Sequence, residues 1–153
     1  MTDEITIRKA TIEDAPYIFD MLSDMAVILR EEKYLVNTQE QYLSDWDKGL
    51  YECVVAVDAS NVPVGYIAFS YFYLSWQGKA IYLDDLYVLE SHRRLDIGTK
   101  LMDFLFELAK DGKYKCVRWY VLKENAAAID FYKKYNVSFE ENRYRCNYFV
   151  SIE

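Results

Sequence analysis

The chain has 153 residues, with 18 Lys and Arg against 25 Asp and Glu and a formal net charge of -7; that is the length of about one domain, and one domain over residues 1–153 is expected. Apolar residues make up 52% of it and aromatics 17%, including 15 Tyr, which excludes a disordered chain and is enough for one substantial core. The acidic balance argues against a nucleic-acid partner, since phosphate binding needs a basic patch, and it suits a cationic substrate. No run approaches the roughly 18 apolar residues of a membrane span, so no membrane partner is expected. The start, Met1-Thr2-Asp3-Glu4, lacks the basic-then-apolar order of a signal peptide. Cys53, Cys116 and Cys146 are widely spaced and there is a single His, so no metal site is expected. Free thiols fit a cytoplasmic location.

In chain order, residues 4–10 alternate as a strand with Ile5 and Ile7 on one face. Thr11 offers a capping hydroxyl, and Ile18, Leu22, Met25 and Leu29 then form one helical stripe. Thr38 and Gln41 have capping-box spacing and predict a second helix ending near Gly49. Strands follow over residues 53–57, 64–73 and 80–89. Ile97, Leu101, Phe104, Leu105 and Leu108 mark a third helix. Residues 116–122 read as a strand, 126–135 as a helix, and 138–140 and 144–152 as two closing strands. The order β-α-α-β-β-β-α-β-α-β-β predicts an α/β fold: a mixed sheet of about seven strands, antiparallel then parallel, carrying four helices.

Three segments carry chemistry. In the strand Ile81-Tyr82-Leu83-Asp84-Asp85-Leu86-Tyr87-Val88, two carboxylates interrupt an apolar run. Alternation predicts that Asp84 and Asp85 face opposite sides of the sheet. A half-buried carboxylate there is either a general base with a raised pKa or a partner in a structural ion pair. The loop from Ser91 to Lys100 brings Arg93 and Arg94 to a helix start at Ile97, Gly98 and Thr99. Free N–H groups and guanidinium there suit a phosphate, while the plainer reading is a solvated basic loop. In the third segment Asn125 caps a helix that carries Tyr132, either a packing tyrosine or a phenol able to donate a proton to a thiolate.

These segments, in this order and over nearly the whole chain, resemble the GNAT superfamily of N-acetyltransferases. Family loops read Arg/Gln-x-x-Gly-x-Gly/Ala; here the run is Arg93-Arg94-Leu95-Asp96-Ile97-Gly98, with Asp96 in place of the first Gly. Residues 76–88, from Trp76 through Gly78-Lys79, Tyr82-Leu83-Asp84-Asp85 to Val88, are similar to the spermidine/spermine and thialysine acetyltransferase branch, which has Glu where Asp84 stands. The resemblance implies acetyl transfer from acetyl-CoA to a small primary amine (a polyamine, a diamine or a thialysine-like compound) through a tetrahedral intermediate. Leu86 and Val88 would offer backbone groups to the acetyl carbonyl and the pantetheine arm. Arg93, Arg94, Ile97, Gly98 and Thr99 would surround the pyrophosphate, and Asn125 would touch the cofactor. Asp84 would deprotonate the amine through water, and Tyr132 would protonate the departing thiolate. Asp84, Asp85, Trp76, Glu31 and Glu32 would bind the cation. The aromatic terminal strand implies a homodimer.

Two other readings stand beside this one. The Asp96 and Asp84 replacements fit a binding protein of the same fold that has lost turnover. A peptide or protein N-acetyltransferase would need an open groove in place of a small-amine pocket.

Overall fold

The computed structural model describes residues 4–150. The chain divides into two compact units, Met1–Trp119 and Tyr120–Glu153. The first holds a five-stranded sheet ordered β1-β2-β3-β4-β5: β1 (Thr6–Lys9), β2 (Glu52–Val57), β3 (Pro63–Leu74), β4 (Gly78–Val88) and β5 (Cys116–Arg118). The first four strands run antiparallel to their neighbours, and β5 joins β4 in parallel. Three helices belong to this unit: α1 (Ala15–Ile28), α2 (Gln39–Asp47) and α3 (Ile97–Asp111). The second unit holds α4 (Ala126–Lys133). Short 3-10 turns at Ile12–Asp14, Glu32–Tyr34 and Glu90–His92 join the elements.

Every residue of β2 from Cys53 to Val57 is buried, which requires cover on both faces of the sheet, because strand side chains alternate. One face carries α1 and α2 over a core of Ile18, Met21, Tyr42, Cys53, Val55, Val57, Tyr66, Ala68 and Tyr87. The other is covered by α3 through Ile97, Leu101, Met102 and Leu105, all buried. Gly65 lets α3 lie close: a Cβ there would come within 3.1 Å of the Tyr87 carbonyl and 3.3 Å of Ile97.

The α2 cap is half of the expected box. The Thr38 hydroxyl accepts from the Gln41 N–H at 3.1 Å, but the Gln41 amide donates forward to Asp45. At the first turn, Thr11 is the N-cap of the 3-10 turn that leads into α1, in a capping box with Asp14, and its hydroxyl also donates to the Asp14 carboxylate. The buried Asp14 carboxylate also takes the Thr11 N–H at 2.7 Å and both Arg8 guanidinium arms at 2.7 and 3.0 Å. Burial alone would raise its pKa; the Arg8 and Thr11 hydrogen bonds prevail and hold it below the usual carboxylate value.

The strand count differs from the expected seven. Residues 119–122, 138–140 and 144–150 are not strands among the described residues, and 151–152 lie outside them. A strand is defined by its ladder, and alternating composition without a hydrogen-bonded neighbour makes none. Tyr144 and Tyr148 are 96% and 92% exposed within the chain.

Candidate active site

Strand β4 is the spine of the site. Its ladder to β3 steps irregularly: Asp85 sits opposite Ala68, but the next β3 residue, Phe69, sits opposite Leu83. Asp84 is therefore the extra residue of a β-bulge. The bulge corrects the alternation argument for the two carboxylates. Asp85 shares the face of its partner Ala68, which belongs to the core under α1 and α2. Leu83 shares the opposite face with Phe69, so Asp84, its neighbour, turns back to the α1 face. Both carboxyls lie on one side of the sheet.

Protein crowds this pair even though Asp84 keeps contact with solvent and Asp85 is half-buried. Burial pushes the Asp85 carboxyl up to about 7, helped by the negative charge of Asp84 and opposed by the Tyr66 hydroxyl. Burial also raises Asp84. Beneath them lie Tyr66, Cys53 and Tyr42. The Tyr66 hydroxyl is buried beside Asp85, short of a well-formed hydrogen bond. The Tyr42 hydroxyl meets the Cys53 sulfur at 3.7 Å. Burial pushes the Cys53 thiol up to about 12, with Asp85 and Asp84 adding to the effect. Around the two carboxylates, then, lies a neutral, proton-holding wall. Sequence reasoning did not find Tyr66, Tyr42 or Cys53, because nothing in spacing separates them from other core residues.

Next to the carboxylates β4 loses its neighbour. Strand β5 pairs only with Ala80, Ile81 and Tyr82, so from Leu83 onward the β5 side of β4 carries no ladder among the described residues. Leu89 N–H donates to Val64 of β3. By alternation, the backbone groups of Val88 and Leu86 point away from β3, toward the open side. The Val88 carbonyl there accepts from Arg93 Nε at 3.1 Å, and the Arg93 guanidinium lies 5.6 Å from the Tyr87 ring centre.

The loop that follows enters α3 through two left-handed residues, Arg94 (φ 71°) and Asp96 (φ 57°). Ile97 is buried and anchors the helix, Gly98 and Thr99 are half-buried, and Arg93, Arg94 and Asp96 are exposed. The N–H groups of the first turn of a helix have no carbonyl within the helix, so they and the two arginines can receive an anionic group.

Other expected residues stand apart. Trp76, 93% exposed, sits in the β3–β4 turn. From Gly78 to Asp84 the strand rises about 20 Å at ~3.3 Å per residue, so one chain does not bring Trp76 to the carboxylates. Glu31 and Glu32 follow α1 where Arg30 turns left-handed, with Glu32 opening the 3-10 turn. In the second unit, the Asn125 side chain accepts from the Ala128 N–H at 3.2 Å and caps α4 as expected. Tyr132 is buried on that helix, and burial followed by Tyr135 pushes its hydroxyl up to about 12.

A model of the acetyltransferase (GNAT) family matches residues 16–136. The human spermidine/spermine N(1)-acetyltransferase-like protein 1 is 28% identical over 138 residues; the match takes in 85% of this chain and only 20% of that protein's length. The bovine thialysine N-epsilon-acetyltransferase is 30% identical over 138 residues, covering 84% of this chain and 81% of that one. Its Caenorhabditis elegans counterpart is 29% identical over 126 residues, 82% and 78% of the two chains. Among solved structures, an aminoglycoside acetyltransferase from an uncultured soil metagenomic sample, in complex with trehalose, superposes with a TM-score of 0.78 over 96% of this chain and 97% of that one, at 18% identity. An aminoglycoside N-acetyltransferase in complex with CoA superposes with a TM-score of 0.75 over 98% and 97%, at 13% identity. At such identities the superpositions speak for the fold alone.

Proposed function

We propose that this chain, which belongs to the acetyltransferase (GNAT) family and is an acyltransferase, moves an acetyl group from acetyl-CoA to a small primary amine of the polyamine, diamine or thialysine kind. The observation that carries the reading is the pair of carboxyls, Asp84 and Asp85, on one face of β4 beside the stretch where β4 has no partner. The names of the bovine and human relatives support the amine class.

The residues fit the cofactor. Leu86 and Val88 present backbone groups on an open strand edge, and Arg93, Arg94 and the first turn of α3 (Ile97, Gly98, Thr99) gather positive charge and N–H donors. Asn125 is assigned to the cofactor by the family resemblance alone. Acetyl-CoA supplies the activated acetyl thioester. The protein then has three tasks. An alkylammonium of reference pKa about 10 is not nucleophilic until it loses its proton. Asp85 and Asp84 hold the cation, and Asp84, the solvent-touching member, takes its proton through a water. The N–H groups along the open edge of β4 stabilise negative charge as it develops on the acetyl oxygen. Tyr132, kept protonated by burial, donates its proton to the departing sulfur.

Glu31, Glu32 and Trp76 are assigned to the outer part of the amine site. Because Trp76 is remote from Asp84 within one chain, it serves this site only from a second copy, in the homodimer that the exposed terminal aromatics favour. A solution mass equal to one chain contradicts the dimer. Among the described residues no helix is long and apolar enough to cross a membrane, and the three cysteines are free, in keeping with a cytoplasmic setting.

The test is mass-spectrometric detection of product after incubation with acetyl-CoA and spermidine, spermine, putrescine, thialysine, lysine or short peptides. A monoacetylated amine is expected. Acetylated peptide with unmodified amines would establish the peptide reading instead.

A further inference from the structure

The loop into α3 contains an acid in a place where an acid works against the proposed cofactor. Asp96 is the N-cap residue of a fifteen-residue helix, yet its backbone is left-handed and its carboxylate caps no N–H of the helix. Its backbone carbonyl accepts from the Lys100 N–H at 3.0 Å, but among the described residues its carboxylate has no hydrogen bond or ion pair, and the residue is exposed. A carboxylate at a helix N-terminus normally turns inward to take an N–H of the second or third residue. Here φ 57° and ψ 22° keep it from doing so. Left-handed backbone disfavours most side chains, and the loop holds two such residues, Arg94 and Asp96, two positions apart.

We propose that Asp96 sets the affinity for the diphosphate of the cofactor low, as a fixed negative charge at the mouth of the anion-receiving first turn of α3. This rests on the cofactor reading above and concerns the regulation of that same site. Arg93 and Arg94 attract the diphosphate while Asp96 repels it, so the site fills only when acetyl-CoA is abundant. Turnover then follows the supply of acetyl donor and does not saturate at low supply. Because the opposing charges are exposed, the repulsion is screened by salt.

The test is calorimetric titration of the purified chain and of its Asp96→Asn variant with CoA and with pantetheine, which lacks the diphosphate. Asn has the same size and tolerates the left-handed conformation, so only the charge is removed. Asp96→Gly, which removes charge and strain together, serves as the second variant. At low salt the Asn chain is expected to bind CoA about five- to tenfold more tightly than the native chain, and the Gly chain at least as tightly. Pantetheine affinity stays the same in all three. The difference for CoA shrinks at about 0.5 M salt. CoA binding of equal strength in native and variant chains overturns the proposal and leaves the cofactor reading intact. An equal gain for pantetheine also overturns it, because the effect then does not act on the diphosphate. Failure of all three chains to bind CoA overturns the cofactor reading, and the proposal with it.

Discussion

Asp84 and Asp85 are neighbours in sequence and neighbours on one face of β4, because Asp84 is the bulged residue that has no opposite number on β3. In a regular strand the two would be separated by the thickness of the sheet. The bulge turns them into one acidic locus in which the negative charge of Asp84 opposes the ionisation of Asp85.

This relationship predicts a pH dependence. Asp85, with its carboxyl near 7, becomes fully anionic only as pH rises through neutrality. The KM for the amine should therefore fall as pH rises from about 6 to 8, and Asp85→Asn should flatten that inflection. The sign for folding is the reverse. A carboxyl whose folded pKa lies above its unfolded value of ~3.9 is relatively stabilising below that value, and the advantage is lost as pH rises toward 7. Chemical denaturation at pH 8 should find Asp85→Asn more stable than the native chain by about 2 kcal/mol, an amount discounted from the full shift because Asp85 is only half-buried. Equal stability of the two at pH 8 would contradict the raised pKa.

Arg8 and Asp14 behave oppositely. Their ion pair at 2.7 Å, with the Thr11 N–H on the same carboxylate, ties β1 to the entry of α1. Arg8→Ala should cost about 2–3 kcal/mol at pH 7 by leaving a buried charge without its main partner. The folded pKa of Asp14 is depressed, so the stabilisation is present above ~4 and fades as pH falls through the lower folded value. Denaturation curves of the two chains should converge in acid; a constant gap between pH 7 and 3 would exclude this pair as the cause.

For Tyr132 the prediction is kinetic. Tyr132→Phe should lower kcat by about a hundredfold with little change in the KM of the amine, as expected for loss of a proton donor. Since burial holds the hydroxyl up to about 12, the native enzyme should show no loss of rate from this group below pH 10. A variant with native kcat would leave Tyr132 a packing residue.

Much of this was legible in the sequence. The stripe of α3, the Asn125 cap and the three long strands each follow from local periodicity, and each formed where periodicity put it. The bulge was not legible, because a one-residue insertion in a ladder depends on the partner strand and leaves Asp84-Asp85 looking like ordinary alternation. The same holds for Tyr66 and Cys53, which meet Asp85 only after β2 and β3 have paired with β4. The closing strands failed for the complementary reason: residues 144–150 have strand composition but no described partner. Asp96 was legible as a departure at a glycine position. That its carboxylate leaves the helix uncapped depends on the backbone angles, which composition does not supply.

The central claim is that the Asp84–Asp85 pair receives the amine as a cation. It is tested most directly by steady-state kinetics of spermidine or thialysine acetylation by the native chain and by Asp84→Asn and Asp85→Asn at pH 8. The account predicts at least a tenfold rise in amine KM for Asp85→Asn, and for Asp84→Asn a fall in kcat of about a hundredfold. The KM for acetyl-CoA should stay constant in both. Native kinetics in both variants would contradict the account.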